Sequence, residues 1–175
     1  MTGYIADMAV HAQTGHAQVA VARSGGEQAA RTHGVIGVDH VGIAVADLDT
    51  AIEWYGSTFG LVVTHTETNE DQGVREAMLS APGDTGAAVQ LLAPLRPDSP
   101  IGRFLDRNGP GIQQMAYRVA DIDVMSAALR GRGMRLLYDE PRRGTAGSRI
   151  NFVHPKDAGG VLVELVELAR RSPER

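Results

Sequence analysis

Val38-Asp39-His40-Val41-Gly42-Ile43-Ala44-Val45-Ala46-Asp47-Leu48-Asp49 runs from an alternating apolar stretch into a helix start, and its pattern returns later in the chain. Over Val35 to Val45 the alternation predicts a strand, with Val38, His40, Gly42 and Ala44 on one face and Val41, Ile43 and Val45 on the other. The branched face is expected to pack on a helix. The small residues around His40 leave space beside its imidazole. Val45-Ala46-Asp47-Leu48-Asp49 recurs as Val119-Ala120-Asp121-Ile122-Asp123, an offset of 119 − 45 = 74. The same offset carries His40 onto Gln114 and Val89-Gln90-Leu91 onto Val163-Glu164-Leu165. Distant segments that share one offset predict two copies of one supersecondary unit.

The coarse reading is α+β, with two tandem β-α-β-β-β modules whose sheets curve together around a cleft. Asp47 is the expected N-cap of a helix over Leu48 to Phe59 that stops at Gly60. Strands are expected over Leu61 to Glu67, Val74 to Ala81 and Ala87 to Leu92, with polar turns at 69–73 and 82–84. Ser99 and Pro100 open a short linking helix that Asn108-Gly109 closes. The second copy follows: a strand over Gly111 to Val119, a helix from Ile122 to Arg132, and strands at Arg135 to Tyr138, Ser148 to His154 and Gly160 to Glu167, with a charged, Gly-rich loop over Asp139 to Gly147. This divides the chain into an extension (1–34), a first module (35–95), the linking helix (96–110), a second module (111–168) and a tail (169–175). The extension is rich in Ala, Gly, Thr, Gln and His, with a short helix over Gly26 to Arg31. His11, His16 and His33 read as solvated histidines there.

The 175 residues are 43% hydrophobic, enough for a packed core. A net charge of −4 without a basic run argues against nucleic acid as a partner. No apolar run approaches the roughly 18 residues of a membrane span. The absence of cysteine excludes disulfides and thiolate metal sites and is compatible with the cytoplasm, the expected location.

His40, Gln90, Gln114 and Glu164 occupy first and fourth strands of the repeated module, so they can converge across a pseudo-twofold axis. Any one of them alone reads as an ordinary core or solvated side chain; the shared offset singles them out. One imidazole nitrogen, two amide oxygens and a carboxylate suit Mg²⁺, Mn²⁺ or Co²⁺ better than a structural zinc. Glu76 lies between Val74 and Met78 on a predicted inner face, where burial raises a carboxyl pKa towards the range of a general base. The alternative is an edge-strand glutamate paired with Arg75 or another arginine. Arg142, Arg143, Arg149 and Lys156 cluster late in the chain, as contacts for an anionic substrate or as plain surface charges.

From Val35 to Leu168 the chain resembles the vicinal oxygen chelate (glyoxalase/bleomycin resistance/dioxygenase) superfamily and, within it, the methylmalonyl-CoA epimerase family. The resemblance is carried by Asp39-His40-Val41-Gly42-Ile43-Ala44, by Asn69 to Leu79 (NEDQGVREAML) and by Val89-Gln90-Leu91-Leu92. Leu137 to Gly144 (LYDEPRRG), Gly147 to Ile150 (GSRI), His154-Pro155-Lys156-Asp157 and Gly160 to Glu164 (GVLVE) extend it. It implies epimerisation of the α-carbon of methylmalonyl-CoA through an enolate stabilised by a divalent metal. It makes His40, Gln90 and Glu164 metal ligands, makes Glu76 and Glu164 the two acid/base groups, and implies an acyl-CoA substrate and a homodimer. One departure is notable: the family has His-His where this chain has Gln113-Gln114, and the second histidine is a ligand. Amide oxygen is the weaker donor for most transition metals, so weak metal binding or a harder ion is expected. The other readings are enolate chemistry on a different acyl thioester or activated acid, or a small-molecule-binding protein on the same fold. Retention of Glu76 disfavours the binder. A dioxygenase facial triad requires two histidines, and of His40, His65 and His154 only His40 lies on the expected face.

Overall fold

The structure, a computed structural model, describes residues 34–169. Residues 1–33 of the extension, with its predicted helix and its three histidines, lie outside the described residues.

Eleven elements follow in order. They are β1 (Val35–Ala44), α1 (Leu48–Phe59), β2 (Val62–Asn69), β3 (Val74–Ser80), β4 (Ala88–Pro94), α2 (Pro100–Asn108), β5 (Gly111–Val119), α3 (Ile122–Gly131), β6 (Arg142–Arg143), β7 (Arg149–Val153) and β8 (Val163–Glu167). The strands form one curled mixed sheet in the order β2-β3-β4-β1-β5-β8-β7-β6. At its centre β1 and β5 pair antiparallel, while β1 with β4 and β5 with β8 pair parallel, so the two halves repeat the same connections. Among the described residues no helix is long and apolar enough to cross a membrane.

Local chemistry explains the helix ends. Asp47 and Asp121, one repeat apart, each accept the backbone N–H three residues on, from Thr50 at 2.8 Å and Val124 at 2.9 Å. Gly60 ends α1 in the left-handed region at φ 70° and donates to Gly56 O, geometry that a residue with a Cβ adopts reluctantly. Ser99 caps α2, with Pro100 just inside it.

The repeat extends to two outer braces. Arg75 clasps Asp49 at 2.7 and 2.9 Å, and Arg149 clasps Asp123 at 2.8 and 2.9 Å. Each arginine reaches from an outer strand of its half to the first turn of that half's helix. Arg75 is therefore committed to α1, and Glu76 does not pair with it.

The helix-covered face of the sheet carries two cores. Leu48, Ala77, Leu79, Leu91 and Ala93 pack under α1 together with Ile43 and Val45, as the branched face of the opening stretch predicted. Val119, Ile122, Leu129, Val153 and Leu165 pack under α3. The other face is lined by Ala44, Val74 and Leu92, which meet Ile101 of α2, and by Ala116, Ile150, Phe152 and Val166. The cleft lies on this face.

One predicted strand is absent. Arg135 to Tyr138 makes a single bridge, Leu136 to Val153, and the sixth strand is instead Arg142–Arg143, inside the stretch expected to be a loop. The reason is Asn151, which is fully buried. Two backbone bonds flank that bridge, Leu137 N–H to Phe152 O at 2.8 Å and His154 N–H to Arg135 O at 2.9 Å; beyond them Asn151 takes over, its Oδ1 accepting the Tyr138 N–H at 3.2 Å and its Nδ2 donating to Tyr138 O at 3.0 Å. Oδ1 also accepts the Phe152 N–H at 2.8 Å. Asn151→Ala strands these backbone groups and is expected to cost about 2–4 kcal/mol, a fall in Tm on the order of 10 °C by scanning calorimetry. A shift below about 2 °C would show that the segment is held by something else.

Candidate active site

Two β-bulges prepare the site. Val38 pairs with Tyr117 and His40 with Ala116, so Asp39 is an extra residue in β1. Gly42 pairs with Gln114 and Ile43 with Ile112, which makes Gln113 the extra residue in β5. A bulge re-aims side chains that strict alternation would send to opposite faces. Asp39 can thus turn to its own neighbour: its Oδ1 lies 2.9 Å from His40 Nδ1, while its Oδ2 accepts from Arg118 Nε at 2.9 Å. The second bulge brings both Gln113 and Gln114 to the cavity wall.

His40, Gln90, Gln114, Glu164 and Glu76 are each at most 6% exposed and form one hydrogen-bonded chain. His40 Nε2 is 3.1 Å from Glu164 Oε2. Gln114 Nε2 donates to that same oxygen at 2.5 Å and to Gln90 Oε1 at 3.3 Å. Gln90 Nε2 donates to Glu76 Oε2 at 3.0 Å and to Thr145 Oγ1 at 3.1 Å, and Thr145 Oγ1 donates to Glu76 Oε1 at 2.5 Å. Gly42 makes room: a Cβ there would meet Gln114 Cγ at 2.5 Å.

Burial alone would lower the His40 pKa. Hydrogen bonds to Asp39 and Glu164 outweigh it and hold the imidazole up at about 9. Burial raises the Glu76 carboxyl above its usual value. The charges of Glu164 and Glu67 push the same way, against the Thr145 hydroxyl and the His40 charge.

The repeat-related quartet suits a divalent ion. Neighbouring ligands on an octahedral ion at about 2.0–2.1 Å stand about 3 Å apart, and the His40–Glu164 and Gln90–Gln114 contacts of 3.1 and 3.3 Å are of that size. Gln114 presents its nitrogen to Glu164, so its amide has to turn to bring the oxygen in. Among the described residues no three His, Cys, Asp or Glu side chains gather as a metal site. Of the quartet only His40 and Glu164 are of those types; Gln90 and Gln114 are amides.

A cavity of about 420 Å³ opens beside this chain. Val74, Leu92, Ile101, Phe152 and Leu162 contribute apolar wall, and Arg96, Arg103 and Arg142 contribute positive charge. Arg142 is held with its guanidinium carbon 4.0 Å from the Tyr138 ring centroid. The other late cations stand elsewhere. Arg143 lies 3.5 Å from Glu67, Arg149 braces α3, and Lys156 sits in a 3₁₀ turn; none of the three lines the cavity. Arg96 and Arg103 do line it, and so does Thr145, yet none stood out in the sequence. Thr145 lies in a stretch that reads only as a Gly-rich loop. The bulge behind Asp39 leaves no mark in the pattern at all.

The model of the Glyoxalase/Bleomycin resistance protein/Dioxygenase superfamily matches residues 39–152. An ethylmalonyl-CoA/methylmalonyl-CoA epimerase of Cereibacter sphaeroides is 38% identical over 133 residues, 75% of this chain and 97% of that one. The crystal structure of methylmalonyl-CoA epimerase from Mycobacterium tuberculosis is 61% identical, with a TM-score of 0.75, and the match covers 78% of this chain and 91% of that one. A Streptomyces coelicolor methylmalonyl-CoA epimerase variant in complex with 2-nitronate-propionyl-CoA is 50% identical, with a TM-score of 0.73 over 78% of this chain and 99% of that one. With the curled eight-stranded sheet and its cleft, these similarities establish that the chain belongs to the glyoxalase/bleomycin resistance/dioxygenase superfamily and, within it, to the methylmalonyl-CoA epimerase family.

Proposed function

We propose that this isomerase inverts the α-carbon of methylmalonyl-CoA by two-base proton transfer, Glu76 serving one face of the substrate and Glu164 the other. The observation that carries the reading is the pair of buried carboxylates at opposite ends of the Glu76–Gln90–Gln114–Glu164 chain, beside a cavity with an apolar wall and arginines. Removing a proton next to a thioester requires a base whose pKa is raised towards the working pH, and burial supplies that at Glu76. Returning a proton on the opposite face requires a second acid, a role Glu164 fits from the other half of the sheet. The cavity arginines, Arg142 among them, suit the negative charge of a carboxylated acyl-CoA. His40, Gln90, Gln114 and Glu164 would hold a divalent ion, Co²⁺, Mn²⁺ or Mg²⁺, which supplies Lewis-acid stabilisation of the enolate when bound. Asp39 and Arg118 behind His40 fix the ring's orientation from the second sphere.

The test is direct. Incubated with (2R)- or (2S)-methylmalonyl-CoA in deuterated water, the protein is expected to exchange the α-proton and to equilibrate the two configurations. Exchange on another acyl thioester but not on this one would move the reading to a related acid. Exchange on none would sink it.

A further inference from the structure

Glu67 and Glu76 are direct cross-strand partners on β2 and β3. Two like charges in that relation repel unless something bridges them. Consecutive residues of one short segment do so: the Thr145 hydroxyl donates to Glu76 Oε1 at 2.5 Å, and the Ala146 N–H donates to Glu67 Oε2 at 3.0 Å. The segment, residues 144–147, belongs to the second half of the sheet and reaches across to the edge strand of the first. Arg143, just before it, lies 3.5 Å from Glu67 Oε1, and His65 Nε2 lies 3.2 Å from Oε2. Ala146 is the only non-glycine residue with positive φ among the described residues, at φ 53° and ψ 29°. A residue with a Cβ rests in that region only when its surroundings hold it there, and the bond to Glu67 is the hold in view. Glu67 itself does not line the main cavity, whereas Glu76 and Thr145 do.

We infer that Glu67 is a positioning residue: by anchoring the 144–147 strap through the Ala146 N–H, it keeps the Thr145 hydroxyl on the catalytic carboxylate Glu76. The inference rests on the proposed role of Glu76. Glu67 touches no reacting atom, so its removal acts on the chemical step through the strap. Glu67→Ala is expected to lower kcat by about tenfold to a hundredfold, the scale of a misplaced group, while KM changes by less than about threefold. Glu67→Gln keeps an oxygen that accepts the Ala146 N–H and is expected to retain kcat within about threefold of the parent. In a cycle with Thr145→Val, the loss from Glu67→Ala is expected to shrink to less than about threefold once the hydroxyl is gone, because both changes break one linkage.

Hydrogen exchange at the Ala146 amide gives a readout that needs no substrate. Protection is expected in the parent and in Glu67→Gln and is lost in Glu67→Ala, with the Tm of each variant recorded alongside. Full multiplication of the Glu67→Ala and Thr145→Val losses, or an Ala146 amide equally protected with and without the Glu67 carboxylate, would overturn the inference. If the parent protein exchanges no acyl-CoA α-proton, the functional reading fails, and the amide measurement still decides whether Glu67 anchors the strap.

Discussion

Glu76→Gln is expected to lower α-proton exchange from methylmalonyl-CoA by a factor on the order of 10² or more, at least about 2.7 kcal/mol of transition-state stabilisation. The substitution is nearly isosteric and keeps an oxygen for the Thr145 hydroxyl. What it removes is the ability to take a proton. The native carboxylate sits in a buried setting where Gln90 and Thr145 hold both of its oxygens. An amide at position 76 relieves the repulsion from Glu164 and Glu67 that helps to raise the native pKa, but it turns its N–H groups towards the Gln90 amide nitrogen, which loses its acceptor there. Under the proposed role the two readouts separate: Tm falls by no more than a few degrees, the cost of about one buried hydrogen bond, while exchange collapses. Exchange within about threefold of the parent would remove Glu76 from the proton path. Mass spectrometry of the recovered thioester reads the α-deuterium directly, and scanning calorimetry on the same preparations reads the fold.

The contrast between Glu76 and Arg149 explains how far the chain could be read without a structure. Period-two alternation places Glu76 between Val74 and Met78, and the ladder puts all three on the face that the strand pattern predicts. The 74-residue offset likewise finds His40, Gln90, Gln114 and Glu164, because a repeated unit carries its inward positions with it. The same offset also relates Arg149 to Arg75, a helix brace. Grouping Arg149 with Arg142, Arg143 and Lys156 by nearness along the chain overlooked that relation. Proximity in sequence says little about residues in irregular segments, and of those four cations only Arg142 lines the cavity.

Bulges were illegible for a different reason. A bulge adds one residue to one strand, and its signature is a register against a partner far along the chain, as Asp39 shows opposite Tyr117 and Ala116 of β5. The sixth strand failed on similar grounds. Arg135 to Tyr138 has a respectable strand pattern and makes two backbone bonds to β7 and its flank, but a single buried side chain, Asn151, takes the Phe152 N–H and both polar groups of Tyr138, and the ladder stops there. Thr145 joins the site through a strap whose next residue, Ala146, bonds to Glu67 far along the chain.

Gln114→His is expected to tighten Co²⁺ binding by roughly 1–3 kcal/mol, about fivefold to 150-fold in Kd. Gln114 already touches Glu164, Gln90 and the neighbourhood of His40 Nε2, so a donor at this position reaches the point on which the quartet converges. As it stands, the side chain offers a neutral amide whose nitrogen is engaged with Glu164. Turning the oxygen inward gives up that hydrogen bond and gains a donor that borderline metals bind weakly. An imidazole removes the competition and supplies the ligand such ions prefer, so Co²⁺ should gain far more than Mg²⁺. Gly42 opposite keeps the space for the ring, since a Cβ there would already crowd position 114. Titration calorimetry of both proteins has to be run at one fixed pH, because an ion must displace the proton that Asp39 and Glu164 hold on His40. Equal affinities would put position 114 outside the coordination sphere. Tighter Co²⁺ binding accompanied by faster α-proton exchange would tie the ion to the reaction, whereas tighter binding without faster exchange would separate the metal site from catalysis on methylmalonyl-CoA.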